Sequence, residues 1–121
     1  MSAPSDDAVR AEKVAAARTR MAELSAKFID RTRGELAKMR DALARARTGD
    51  LAALGEIRHF AHRMSGTGAT LGFEMLSDRA HVIEVFLDAL PAGAAPDVGS
   101  LARLESDIGA LDVELRTAAA R

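Results

Sequence analysis

Met21, Leu24, Phe28, Thr32, Leu36, Met39 and Leu43 step along the chain by threes and fours, which lays them on one face of a helix. Between Ala8 and Thr48 there is no Pro and Gly34 is the only Gly. The pattern predicts a short helix near 6–17 and a long one near 20–47, or one helix running through both. Residues 1–5 read as a frayed end, with Ser5 as N-cap and Asp6, Asp7 and Glu12 suited to a first helical turn. Thr48-Gly49-Asp50 is a stop and restart, because Gly49 can take a positive φ and Asp50 can cap the helix that follows. That helix runs from Leu51 to about Leu71, with Leu54, Ile57, Ala61, Met64 and Gly68 on one stripe, Phe60 on its flank, and Gly72 as its stop. The next, over about 73–90, lines up Leu76, Ala80, Ile83 and Leu87, with Val82 and Phe86 beside them. Pro91-Ala-Gly-Ala-Ala-Pro96 is a linker. Asp97 or Ser100 then starts a last helix through Leu101, Leu104, Ile108, Leu111 and Leu115, fraying over 117–121.

Amphipathic helices with short connections predict an all-α fold, an antiparallel up-and-down four-helix bundle with a short extra N-terminal helix, as one domain over 1–121. Composition agrees: Trp, Tyr and Cys are absent and only three Pro occur among 121 residues. Unbranched side chains lose little rotamer freedom in helices, whereas strand-forming aromatic residues are scarce here. Without Cys there is no disulfide, thiol chemistry or Cys-based metal site, which suits a reducing cytoplasm. No stretch approaches the roughly 18 apolar residues of a membrane span. The N-terminus carries acids where a signal peptide needs bases, so a cytoplasmic location is expected.

A net charge of −1 argues against general nucleic-acid binding. The charge is uneven, however. Residues 1–48 hold 11 Lys/Arg against 7 Asp/Glu, a net of +4, and residues 49–121 hold 6 against 11, a net of −5. The simplest expectation is that the halves attract one another within the bundle.

The stretch Ile57-Arg-His-Phe-Ala-His-Arg-Met-Ser-Gly-Thr-Gly-Ala-Thr-Leu-Gly72 is where chemistry can reside. At about 100° per residue from Leu54, the apolar stripe centres near about −40° and His62 falls at about +80°. His62 is therefore on a flank that solvent can reach. Gly66, one turn on, leaves no side chain beside the imidazole. A Gly inside a helix costs about 0.5–1 kcal/mol relative to Ala. Gly66 and Gly68 thus either make room for something that approaches His62 or let another helix pack closely. His59 and His62 could share a metal with Glu56 or His81, but no acidic constellation completes the set, and no metal or cofactor is expected. The glycines do not match a dinucleotide or phosphate-binding loop, and Ser65 near His62 lacks the third group of a nucleophilic triad.

Ala61-His62-Arg63-Met64-Ser65-Gly66, followed by Gly72 and Leu76, resembles the signature of histidine-containing phosphotransfer (HPt) domains, A-H-x-L-K-G with a Gly ten positions after the His. The resemblance covers about residues 20–90, and the last helix matches in character. It implies a four-helix bundle whose His62 accepts a phosphoryl group through Nε2 from the aspartyl-phosphate of a response-regulator receiver domain and passes it to another receiver. It further implies that Gly66 gives the receiver access and that Glu84, 22 positions after the His, hydrogen-bonds the other ring nitrogen. The receiver, with its Mg²⁺, would supply most of the charge stabilisation. Receivers and a hybrid histidine kinase are the implied partners, with the chain acting as a monomer away from membranes and nucleic acid. Phe60 and Leu71 would flank the docking surface.

One departure stands out: Ser65 replaces the family's usual Lys, which is expected to offset phosphate charge. Arg58 shares the His62 face best, Arg63 points farther round, and Arg79 on the next helix is a third candidate. The alternative is a non-catalytic helical binding module, either an HPt fold that has lost transfer or a bundle that dimerises through its Ala-rich N-terminal helix.

Overall fold

The computed structural model describes residues 4–121, so Met1, Ser2 and Ala3 of the expected frayed end lie outside the described residues. Four helices follow one another, α1 (Asp6–Arg47), α2 (Ala52–Thr70), α3 (Glu74–Ala89) and α4 (Val98–Ala119), with no strand among the described residues. Each helix packs on its neighbours in the cyclic order α1–α2–α3–α4–α1. With connections of a few residues, this is the antiparallel up-and-down bundle.

The extra N-terminal helix is not separate. The segments near 6–17 and 20–47 are one helix of 42 residues. Nothing at Ala17–Arg20 breaks it, since no Pro or Gly interrupts the i→i−4 ladder there. At 1.5 Å per residue α1 is about 63 Å long. No residue of α1 before Phe28 is buried, so its first half projects beyond the three shorter helices.

The helix ends follow the expected chemistry with two exceptions. Ser5 accepts from the Ala8 amide at 3.1 Å, and the Asp97 carboxylate accepts from the Ser100 amide at 2.7 Å. Gly49 and Gly72 take φ of 102° and 84°, conformations that a side chain strains. Asp50 does not cap α2 with its side chain: its carboxylate takes Arg45 at 3.2 Å, and its backbone carbonyl receives the Ala53 amide. The last helix does not fray at 117 but runs to Ala119, held where Leu115 and Ala118 are buried.

Met39, Ile57, Met64, Leu76, Ile83, Leu104, Ile108, Leu111 and Leu115 are the large, fully buried side chains of one core. Each contributes about 1.5–3 kcal/mol by leaving water. The charge asymmetry is met partly inside the bundle. Arg40 and Arg47 of α1 pair with Asp112 and Glu105 of α4 at 3.5 and 2.8 Å, and Arg45 pairs with Glu56 of α2 at 2.6 Å. Apart from the half-buried Asp112, the members of these pairs are exposed, and such pairs are individually weak, so they set complementarity more than stability.

Two buried polar atoms on α1 have no hydrogen-bond partner, Thr32 Oγ1 and Glu35 Oε2. An unpaired buried hydroxyl costs about 1–3 kcal/mol. Thr32→Val keeps the shape and the β-branch while removing that hydroxyl. It is expected to raise unfolding free energy by about 1 kcal/mol in urea denaturation; a loss would mean that the hydroxyl has a partner.

Candidate functional site

His62 sits mid-way along α2 with 66% of its side chain exposed, facing Glu84 of α3. The Glu84 oxygens lie 3.1 and 2.9 Å from His62 Nδ1. A carboxylate only accepts, so Nδ1 carries the hydrogen and donates it. In the neutral ring that leaves the Nε2 lone pair as the group available to a partner. Glu84 itself is largely covered, its side chain 13% exposed, which fixes the direction from which it holds the ring.

The seam between α2 and α3 makes this reach possible. Small residues line it: Ala61 and Gly68 on α2, Ser77 and Ala80 on α3, all buried. Ser77 donates its hydroxyl to the Ser65 carbonyl at 2.7 Å, and the two hydroxyls are 3.5 Å apart. Ser65, at the position of the expected lysine, thus turns toward α3 and is half-buried.

The two glycines near His62 play different parts. A Cβ on Gly68 would touch Leu76, Ser77 and Phe28 at 3.5–3.6 Å, so Gly68 belongs to close packing. A Cβ on Gly66 would meet nothing within 4 Å. No contact inside the chain requires a glycine at 66, and its bareness faces outward, next to His62. Thr70 donates to the Gly66 carbonyl at 3.1 Å one turn on.

Arg58 does not stand free beside His62. Its Nε and Nη2 donate to the two Asp88 oxygens at 2.5 and 3.3 Å, and Nη2 is 3.8 Å from Glu84. The hydrogen bond to Arg58 holds the Asp88 carboxyl below its ordinary value of 3.8, and the same bond raises Arg58. Arg63, expected farther round, instead lines a depression with His62, together with Arg31, Gly66, Thr67 and Thr70. Arg79 does not line it. Arg63 and Arg31 both approach Glu35 Oε1, at 3.4 and 3.6 Å. Sequence periodicity missed this buried Glu35; its one signal was an acid at the helical position between Thr32 and Leu36 on the apolar face.

Phe60 and Leu71 are half-buried against the core, and His59 tilts against Phe60 at 5.9 Å between ring centroids. Among the described residues no three His, Cys, Asp or Glu side chains form a cluster able to hold a metal. No helix of the described residues is long and apolar enough to cross a membrane.

Of the three exposed histidines, only His62 is oriented by a carboxylate from the adjacent helix, and a helical bundle that displays such a residue has the form of a histidine phosphotransfer module. The Hpt domain family matches residues 23–118, and the chain belongs to that family of histidine phosphotransfer modules in two-component systems. No curated protein and no solved structure matches the chain.

Two outcomes follow from this geometry. A depressed carboxyl contributes fully above its ordinary value and loses its contribution as pH falls through the lowered one. The Arg58–Asp88 pair is therefore expected to persist at neutral pH and to open only below pH 3.8. Arg58→Ala should return the Asp88 titration, read by NMR, upward to that value; an unmoved titration would show the pair absent in solution. Gly66→Ala should stabilise the bundle by about 0.5–1 kcal/mol in urea, because the methyl meets open space; destabilisation would contradict that geometry.

Proposed function

We propose that this chain relays a phosphoryl group between receiver-domain aspartates on Nε2 of His62. The observation that carries the proposal is the pairing of Nδ1 with Glu84 while most of the ring stays exposed. The carboxylate fixes the tautomer and leaves the Nε2 lone pair as the free nucleophile. The Nε2 lone pair forms the P–N bond as the P–O bond of the aspartyl phosphate breaks, and its electron pair returns to the carboxylate. The hydrogen stays on Nδ1, donated to Glu84, so no proton has to move, and the positive charge that develops on the ring meets an anion already in place.

Phosphoryl transfer asks mainly for position and charge stabilisation, and the receiver brings Mg²⁺ and its own charged groups. This chain needs to offer only a shallow, oriented histidine. Gly66 clears the surface one turn along, so a receiver can approach without meeting a side chain. The relay works as a monomer in the cytoplasm, and a hybrid histidine kinase or another receiver supplies the phosphoryl group.

The test is incubation with a panel of phosphorylated receivers and Mg²⁺, scoring acid-labile, base-stable label on this chain. Label is expected on the wild type and not on His62→Gln, with unchanged helical circular dichroism. Gly66→Ala is expected to slow uptake severalfold despite its greater stability. Receiver binding with no label from any member of the panel would make the chain a non-catalytic docking module.

A further inference from the structure

The charges around His62 are arranged with a direction. On its α3 side stand one cation and two anions, Arg58 with Asp88 and Glu84. On its α1 side stand two cations and one anion, Arg31 and Arg63 with Glu35. An anion on Nε2 is repelled from the first group and drawn to the second. The depression lined by Arg31, Arg63, Gly66, Thr67 and Thr70 opens on that second side.

The two arginines there are not held alike. Arg31 also lies over the Phe28 ring, 5.8 Å from its centroid. Arg63 has a single ion-pair contact, 3.4 Å long, and its side chain is 42% exposed. Glu35 is 6% exposed at its side chain and has its second oxygen without a partner. A buried carboxylate stripped of every cation would be strongly destabilising. With two arginines on one oxygen, one can leave and the other still covers the charge.

We propose that this depression seats the oxygens of the phosphoryl group on His62, with Arg63 swinging from Glu35 to the phosphoryl while Arg31 stays on Glu35. The proposal rests on His62 as the phosphorylated residue and names the groups that hold what it carries. The phosphoryl group brings about −1.5 to −2 charges at neutral pH. Arg63 meets them with charge-assisted hydrogen bonds. Arg58 cannot serve in the same way without abandoning its two contacts to Asp88.

The experiment phosphorylates the chain with phosphoramidate, a small donor that needs no receiver, and follows the phosphoryl group by ³¹P NMR across pH. A cation close to the group favours its dianion and lowers its second ionisation. Arg63→Ala is expected to raise that ionisation by several tenths of a pH unit and to shift the ³¹P resonance. Arg63→Lys should restore most of the change, and Glu35→Gln, which releases Arg63, should lower the ionisation further. A merely structural Arg63 would alter urea stability and leave the ³¹P titration where it was, which overturns the proposal. Failure of phosphoramidate to label His62 in the wild type overturns it too. Label from receivers with no Arg63 effect would leave the relay standing without this seat. An Arg63 effect with no label from any receiver would leave the seat standing without the relay.

Discussion

The approach of α2 to α3 is the constraint on which the His62 face depends. Glu84 reaches an imidazole on another helix only if the two backbones lie close and in one register. Residues without bulk, Ala61, Gly68, Ser77 and Ala80, supply the closeness. The Ser77 hydroxyl on the Ser65 carbonyl supplies the register. Ser65 is three residues after His62 and Ser77 is seven before Glu84, so this bond fixes the two helices about one turn from the site on one side and two turns on the other. A slip of one turn, about 5.4 Å, would take the carboxylate out of hydrogen-bond range. The buried hydroxyl is thus a positional device, and its own hydrogen-bonding need is met by the same contact.

Within that frame the ion pairs sort the arginines by availability. Three cations and three anions surround His62, so resting charge is balanced and no cation is wasted on solvent alone. What differs is how each arginine is held. Arg58 forms a forked pair with Asp88, the geometry in which a guanidinium binds most firmly. Arg63 rests at a longer distance on a carboxylate that it shares. An added dianion competes for the loosely held member first. On the proposed relay, the serine at position 65 need not leave a phosphohistidine uncompensated, since Arg63 of the same helix is the more loosely held cation.

Most of the fold was legible in the sequence because periodicity and caps are local. The stripe from Met21 to Leu43, the turn glycines 49 and 72 and the start of α4 at Asp97 or Ser100 all act through residues a few positions apart. The structure buries the stripe from Phe28 onward, leaves Met21 and Leu24 exposed where α1 outruns the bundle, and caps α4 with Asp97. The motif around His62 and its spacing to Glu84 were legible too, and the structure places those two side chains in contact. What was not legible is partner choice. Asp50 could cap α2 or take Arg45, and the nearby arginine won because α1 ends beside it. Arg58 shares a helical face with His62, but Asp88 lies 30 residues further along the chain and claims it. Glu35 reads as one more surface acid until the depth of α1 against α2 is known. Each of these depends on which of several opposite charges a neighbouring helix delivers, which no helical wheel contains.

Gly66 and Gly68 show how one short segment divides stability from access. Both lower the helical preference of α2 by a similar amount, about 0.5–1 kcal/mol each. At Gly68 the expense is offset within the chain, since the missing side chain lets Phe28, Leu76 and Ser77 close over it. At Gly66 nothing in the chain makes use of the space. Gly55 on the same helix is equally open, but of the two only Gly66 lines the depression that holds His62, the one histidine among the described residues whose ring a carboxylate holds. A bundle with a continuous core can carry such a local deficit without deforming, because the residues that hold α2, Ile57, Ala61 and Met64, are buried on its other face. The scaffold is thus closely packed where Gly68 meets its neighbours and bare at Gly66, beside the exposed His62 ring.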